Sequence, residues 1–217
     1  MANLQLTPTK DEAKLLKQTL ERCNAACNAA SQAGFDAFYP RKIRQLNLYK
    51  IAYQRLRDDF ELTAQAAIRS IAKVADAYTT AKANHHELEE PIRFRKHAAQ
   101  PYDDRIFRFL PGVDQISIWT LEGRTKLPFV CGERQRKLLA YRKGEVDLMF
   151  VRGKWYLAVV CDIPDPEAID IEDVLGVDFG VVNLAFDSDG RPYTRRLDGV
   201  TGLAPVVKGP KGSRPSN

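Results

Sequence analysis

The hydrophobic periodicity of the chain changes at Pro91, and this change constrains the fold more than any other sequence feature. Before Pro91, apolar residues recur every three or four positions over three long stretches, which is the spacing of amphipathic helices. After Pro91 the pattern becomes short alternating runs between turn residues, which is typical of β-strands. A weakly alternating run at residues 2–7 precedes the first helix. The order of strand, helices and strands predicts an α+β chain.

Three helices are predicted between the opening strand and Pro91. Thr9 and Glu12 form a capping box, in which each side chain satisfies a free backbone N–H at the start of the first helix. This helix is expected to end near Gly34, and Cys23 and Cys27 are expected to be small core residues. The second helix (about 41–59) and the third (about 63–83) carry apolar stripes of Ile43, Leu46, Ile51 and Leu56, and of Ile68, Ile71, Ala75 and Tyr78.

The predicted strands beyond Pro91 are short. A hairpin joins the alternating arms 145–151 and 154–161 through the turn Arg152-Gly153. Two prolines make residues 163–166 a stiff connector, and we place a domain boundary after residue 163. Periodicity is lost from Gly199, and a Gly/Pro/Lys-rich stretch follows, so the end of the chain is expected to be disordered. Further strands are expected at 92–96, 105–109, 116–118 and 127–130.

The charge of the chain is uneven along its length. The net charge is +5, but residues 91–143 carry a balance of +7 and residues 144–190 a balance of −9. A basic region of this kind suits a polyanion, whereas the simpler alternative is two solvated faces of opposite sign. Phe94, Tyr102 and Trp119 could stack on bases, the alternative being ordinary core packing. The predicted phosphate contacts are Arg93, Arg95, Lys96, Arg105, Arg124, Lys126, Arg134, Arg136 and Lys137.

A segment near the end of the chain, residues 174–190, carries the strongest chemical signal. Two apolar runs flank Asp178 and Gly180, and this pattern predicts a buried strand, a tight bend and a second strand of a β-meander. A buried carboxylate without a partner is costly, and a divalent cation such as Mg²⁺ is the usual reason for one at such a position. The alternative is that Asp178 caps a turn at the end of a strand.

Several short stretches in a fixed order carry a resemblance to a known family. They are the opening strand and capped helix with Asn24 and Asn28, then residues 123–129, 144–148 and 153–157, and finally 175–180 with Asn183. In this order they resemble the amino-terminal part of the TnpB (OrfB) proteins of insertion sequences. These proteins are RuvC-type, RNA-guided nucleases related to the type V CRISPR effectors.

The resemblance implies a specific architecture and activity. Residues 1–163 would form a β-barrel interrupted by a helical insertion at about 9–83. Residues 164–198 would be the first strands of an RNase H-like (RuvC) domain, and 199–217 a disordered tail. The implied activity is RNA-guided DNA cleavage with guide RNA and DNA as partners, and Asp178 would be a catalytic, metal-binding residue for Mg²⁺.

The acids that follow Asp178 do not complete that site. Two-metal nucleases need several carboxylates, and only Asp187, Asp189 and Asp198 follow, the first two within a turn signal. We therefore expect a truncated family member that is inactive alone and acts at most as an RNA- or DNA-binding fragment. No apolar run approaches a membrane span and no signal peptide is recognised, so a cytoplasmic location without membrane contact is expected.

Two other readings of the chain remain open. The first is a non-catalytic nucleic-acid-binding module that keeps the barrel and the helices. The second is a fragment of an ATPase of the actin and sugar-kinase class, because those proteins also place a G-x-D-x-G hairpin around phosphate. Nucleotide binding would distinguish the ATPase from the other readings.

Overall fold

A computed structural model of the protein describes residues 1–165, 177–178, 185–188, 192–195 and 203–205. The chain divides into two units, Met1–Pro164 and Asp165–Asn217, and each is described by itself. The division falls within the connector that contains the two prolines.

The first unit combines a seven-stranded sheet with four helices. Its helices are α1 (Lys10–Phe38), α2 (Gln45–Asp58), α3 (Ala64–Ala83) and α4 (Glu133–Leu139). Its strands are β1 (Ala2–Leu6), β2 (Gln100–Tyr102), β3 (Phe107–Phe109), β4 (Gln115–Thr120), β5 (Gly123–Val130), β6 (Arg142–Val151) and β7 (Lys154–Cys161).

The sheet is antiparallel and nearly closed into a barrel, with the strand order β2-β6-β7-β1-β5-β4-β3. The opening strand β1 lies in its middle, because it pairs with β7 on one side and with β5 on the other. The helices α1 to α3 are inserted between β1 and β2. The predicted α+β class and the helical insertion are therefore confirmed at this level.

The start of α1 is as the sequence predicts, but its end is not. The Thr9 hydroxyl accepts from the Glu12 N–H at 3.3 Å, and the Glu12 carboxylate accepts from the Thr9 N–H at 2.7 Å. The expected end near Gly34 is wrong, because the helix continues to Phe38. Gly34 is buried, and a Cβ placed there would lie 2.5 Å from Leu48 Cδ2. This glycine therefore permits close packing against α2 instead of ending α1.

The stripe predicted for the second helix is only half correct. Ile43, which precedes the helix, and Leu56 are buried, whereas Leu46 is 65% and Ile51 42% exposed. The side of α2 that packs inward is instead formed by Leu48, Ala52 and Leu56, which are spaced four residues apart. In α3, Ile71, Ala75 and Tyr78 are buried as expected, while Ile68 is half-buried. Cys23 and Cys27 are free and fully buried, as predicted.

The predicted hairpin is confirmed. Arg152 and Gly153 have φ angles of 49° and 80°, as a two-residue turn between twisted strands requires. Val146, Leu148 and Phe150 lie opposite Val159, Leu157 and Trp155, respectively. Neither α4 nor β2 was predicted.

The described strands of the second unit form a four-stranded antiparallel sheet, in the order β11-β10-β9-β8. Val177 lies opposite Asp187, which ends its strand, and Val177 is 47% exposed. The antiparallel pairing predicted on either side of the bend is thus present. Residues 203–205, which were expected to belong to a disordered tail, form a strand. The strands are β8 (Val177–Asp178), β9 (Ala185–Asp187), β10 (Pro192–Arg195) and β11 (Leu203–Pro205).

The position of β11 at the edge of this sheet is compatible with the proline at its end. β11 is an edge strand that pairs only with β10 among the described residues, and it ends at Pro205. Edge strands accept proline because one of their sides needs no N–H donor. Within the part of the chain that the structure describes, no helix is long and apolar enough to cross a membrane.

Candidate nucleic-acid interface

The outer face of strands β3, β4 and β5 carries a row of basic residues. Arg108 lies opposite Ser117, and Ser117 lies opposite Lys126. Residues directly opposite each other share a face of an antiparallel sheet, so Arg108 and Lys126 project from the same side. Both side chains are exposed, whereas the neighbouring row of Phe107, Ile118 and Thr125 points the other way, with Phe107 and Ile118 fully buried.

Two further arginines are held by neutral acceptors, namely Arg124, which lies on this face of β5, and Arg105, which lies in the turn before β3. The Arg124 guanidinium donates to Ser117 Oγ at 3.3 Å and to the backbone carbonyl of Arg105. The Arg105 guanidinium donates to Gln65 Oε1 at 3.2 Å. Neutral partners orient a guanidinium without cancelling its charge. Arg105, Arg108, Arg124 and Lys126 are called the basic sheet face below.

Arg108 is the member of this face that the sequence prediction omitted. The run Phe107-Arg108-Phe109 alternates apolar and basic residues, so Arg108 had to point away from the core once this run was identified as a strand. This alternation is the signal that could have found it.

Residues 91–98 form a segment along α1 that belongs to no strand and ends in a turn, in which the Ala98 N–H donates to the Arg95 carbonyl at 3.0 Å, so the strand predicted at 92–96 is wrong. Its backbone bonds to helix side chains and not to another strand. The Phe94 N–H donates to Asn28 Oδ1 at 2.7 Å, and Asn28 Nδ2 donates to the Phe94 carbonyl at 3.1 Å. Asn24 Nδ2 donates to the carbonyls of Lys96 and Ala98 at 3.1 and 2.9 Å.

Two buried hydroxyls hold the beginning of the same segment. Ser31 Oγ donates to the Ile92 carbonyl at 2.7 Å, and the Ile92 N–H donates to the Tyr78 hydroxyl at 3.2 Å. The predicted alternation is nevertheless real, because Ile92 and Phe94 are half-buried. The exposed side chains of this basic segment are Arg93, Arg95 and Lys96.

The helix α4 presents a third group, and one of its arginines is already paired. Arg136 donates to both carboxylate oxygens of Asp114, at 2.8 Å each, and these hydrogen bonds lower the pKa of Asp114. Arg134 and Lys137 are exposed. Two of the three predicted contacts on α4 are thus free for phosphate, whereas Arg136 would first have to leave Asp114.

The aromatic residues confirm the packing alternative in two of three cases. Tyr102 is 1% and Trp119 7% exposed, so neither offers a face to a base. Phe94 is half-buried, with Lys73 Nζ 4.8 Å from its ring centroid. Lys73 also donates to Asn24 Oδ1 at 2.6 Å, and burial lowers the pKa of its ammonium group. Phe94 thus packs beside a cation within the protein.

All nine predicted phosphate contacts are exposed, and they fall on the basic segment, the basic sheet face and α4. Arg136 is the only one of them that pairs with a carboxylate within the described residues. Some exposed cations elsewhere in the first unit are neutralised, as Arg55 is by Asp59 and Lys143 by Asp162, whereas others have no carboxylate partner among the described residues.

The predicted metal site cannot be built from the residues that the structure describes. Asp178 is the last residue of β8, but its side chain lies outside the described part of the chain. No group of three or more His, Cys, Asp or Glu side chains within that part is arranged to hold a metal ion. One carboxylate is not the donor set of a two-metal site, and we derive no catalytic step from it.

Comparison with known proteins adds no further assignment. Neither a protein-family model nor a curated protein matches the chain.

Proposed function

We propose that this protein binds RNA or single-stranded DNA through the basic sheet face, with the basic segment adding contacts. The observation that carries the proposal is the arrangement of Arg108 on β3 with Arg124 and Lys126 on β5, together with Arg105 in the turn before β3. All four side chains are exposed, and none has a carboxylate partner in the described residues. Cations that contact phosphates supply affinity that depends little on sequence.

The geometry favours this function over a merely solvated face. On a solvated surface, positive and negative side chains are interspersed, and the long cationic side chains are mobile. On the basic sheet face the strands fix the backbone, and Ser117, Gln65 and the Arg105 carbonyl orient two guanidinium groups. Side chains that are already oriented lose less entropy when a phosphate binds.

The test is a salt titration of binding, measured by fluorescence anisotropy with a labelled single-stranded RNA. In the variant Arg108→Gln/Arg124→Gln/Lys126→Gln, we expect weaker binding and a slope of log K against log salt that is smaller by about 2, since each lost phosphate contact on a single strand removes about 0.7. The matched control, Lys10→Gln/Lys50→Gln/Lys154→Gln, removes three exposed lysines elsewhere. If both variants bind with the same affinity and slope, the proposed surface is wrong.

The wider proposal is that the chain is a TnpB-like protein whose partners are a guide RNA and DNA, with Mg²⁺ at Asp178. Its supports are the order of the resembling stretches, the barrel-like sheet with inserted helices, and the part that Asn24 and Asn28 play in holding the basic segment. Incubation with RNA, target DNA and Mg²⁺ tests the catalytic part. We expect no cleavage by this chain, because the acids that follow Asp178 in it do not supply a two-metal site; cleavage abolished by Asp178→Ala would contradict that expectation.

A further inference from the structure

A cavity of about 560 Å³ lies between the α1–α2 connection and the end of α3, apart from the residues of the proposed interface. Its apolar lining includes the half-buried Tyr39 and Leu88 and the exposed Pro40, besides the buried side chains Ile43, Tyr78 and Ala81. Small-molecule sites commonly have volumes of about 300–1,000 Å³ with a mainly apolar lining and a few polar groups. The cavity is therefore large enough for a ligand the size of a nucleotide.

The exposed lining of this cavity is strongly basic. Arg41, Lys42 and Lys82 line it together with His85 and His86. All five side chains are exposed, and within the described residues none makes a hydrogen bond or an ion pair. Glu87 is the only carboxylate in the lining, so the positive charge there is not balanced.

A tyrosine adds a hydrogen-bond donor to the same cavity. The Tyr39 hydroxyl accepts from the Leu88 N–H at 2.9 Å, so its own proton is available to an acceptor. The Tyr39 ring is held by stacking on Phe35, with centroids 4.5 Å apart and the planes 12° from parallel. The hydroxyl therefore has a fixed position in the lining.

We propose that this cavity binds a phosphate monoester of nucleotide size, with its aromatic body against Tyr39, Pro40 and Leu88 and its phosphate among the cations. The apolar lining would take the base, and the unpaired Arg41, Lys42 and Lys82 would bind the charge-bearing oxygens. Such an ester could be a free mononucleotide or the terminal phosphate of an RNA strand. The site is separate from the basic sheet face, and it does not depend on the function proposed for that face.

The competing explanation is that these cations only complement helix dipoles. A cation in the last turn of a helix is favourable, and Lys82 occupies that position in α3. Arg41 and Lys42 instead lie three and four residues past the end of α1 at Phe38, outside its last turn, where the effect of the dipole falls off. A dipole effect thus accounts for Lys82 and leaves the other two unexplained.

The experiment is calorimetric titration of the full chain with adenosine 5′-monophosphate and with adenosine. We expect the monophosphate to bind at least about tenfold more tightly, because loss of a well-placed charged contact costs about 1.4 kcal/mol or more. Arg41→Gln/Lys42→Gln should weaken the monophosphate by a similar factor. Ala83→Trp should abolish its binding, since Ala83 is exposed and lines the cavity. Lys50→Gln, on α2 outside the cavity lining, is the matched control.

Two RNA strands that differ only in a 5′-phosphate distinguish the sources of the ester. If the cavity binds strand ends, Arg41→Gln/Lys42→Gln removes the preference for the phosphorylated strand; if it binds only free nucleotide, no such preference exists. Equal binding of adenosine and its monophosphate, no binding of either, or unchanged binding by both cavity variants would overturn the proposal. Arg108→Gln/Arg124→Gln/Lys126→Gln should keep monophosphate binding, so failure of the interface and failure of the cavity are separable.

Discussion

Asn28 and the backbone of Phe94 exchange two hydrogen bonds, in the manner of two paired strand residues. The Asn28 amide accepts the Phe94 N–H and donates to the Phe94 carbonyl, at 2.7 and 3.1 Å. The side-chain amide thereby replaces a neighbouring strand. This replacement explains how the backbone around Phe94 is satisfied beside a helix, with Arg93 and Arg95 exposed.

Asn28→Ala should release the basic segment. Loss of both hydrogen bonds should destabilise the unit by about 1–3 kcal/mol, the range for removing a partner from partly buried polar groups. The Phe94 amide should exchange with solvent faster, as measured by hydrogen exchange. Gln32→Ala on the same helix is the control, because within the described residues the Gln32 amide bonds only to the exposed Asp36 carboxylate. Equal exchange at Phe94 in both variants would show that Asn28 does not hold the segment.

Arg142→Ala should destabilise the barrel more than Lys143→Ala. The Arg142 guanidinium lies 5.6 and 5.5 Å from the ring centroids of Phe107 and Phe109, and it pairs with Asp104, so it joins β6 to the β3 region. We expect a loss of about 1–3 kcal/mol, because cation–π contacts and a partly buried ion pair are lost together.

The neighbouring lysine is the matched control. Lys143 pairs with Asp162 at 2.5 Å, but both side chains are largely exposed, so its removal should cost no more than about 1 kcal/mol. Urea denaturation of the two variants measures the difference. Equal midpoints would contradict a role for Arg142 in holding the barrel together.

Gly34→Ala should be destabilising, although alanine favours a helix over glycine by about 1 kcal/mol. The new Cβ would lie 2.5 Å from Leu48 Cδ2, and overpacking of a buried contact costs about 1–3 kcal/mol. Thermal denaturation of Gly34→Ala, Leu48→Ala and the double variant forms a mutant cycle. We expect the double variant to be more stable than the sum of the two single losses predicts; simple additivity would mean that Gly34 and Leu48 are not coupled.

The stability of the first unit should depend on the charge of Asp147. Burial raises the pKa of this carboxyl, an effect that nearby Lys73 and Arg69 only partly oppose. A raised carboxyl pKa stabilises the fold at pH values below the pKa of the unfolded chain, and this contribution is lost as the pH rises through the pKa of the folded protein. Asp147→Asn should therefore raise the melting temperature by a few degrees at most near neutral pH and leave it unchanged near pH 3. A lower melting temperature at neutral pH would mean that pairing with Lys73 and Arg69 outweighs burial.

The sequence predicts features of this fold that are set locally. The capping box of Thr9 and Glu12 needs residues only three positions apart, and the turn at Arg152-Gly153 needs only its own backbone preferences. The role of Gly34 could not be predicted in this way, since it depends on Leu48 in another helix. The alternation at 92–96 does not by itself identify a strand. Only tertiary contacts decide whether the backbone N–H and C=O groups of these residues bond to a neighbouring strand or to side chains of a helix.

In the candidate site, too, local features could be predicted from the sequence and long-range contacts could not. The basic region led to Arg124 and Lys126 as predicted phosphate contacts, and both are exposed; the alternation of the strand at 105–109 would have added Arg108. The pairing of Arg136 with Asp114 joins residues 22 positions apart, and no local pattern marks it. The exposure of the nine basic residues was thus predictable, whereas their partners were not.

Cross-linking of RNA to the protein tests the central claim most directly. A single-stranded RNA with photoreactive 4-thiouridine is irradiated with the full chain, and the cross-linked peptides are identified by mass spectrometry. Binding through the basic sheet face predicts cross-links within residues 105–126 and weaker ones at 91–98. The variant Arg108→Gln/Arg124→Gln/Lys126→Gln should remove the cross-links within residues 105–126. Cross-links confined to other parts of the chain, and unchanged by that variant, would contradict the account.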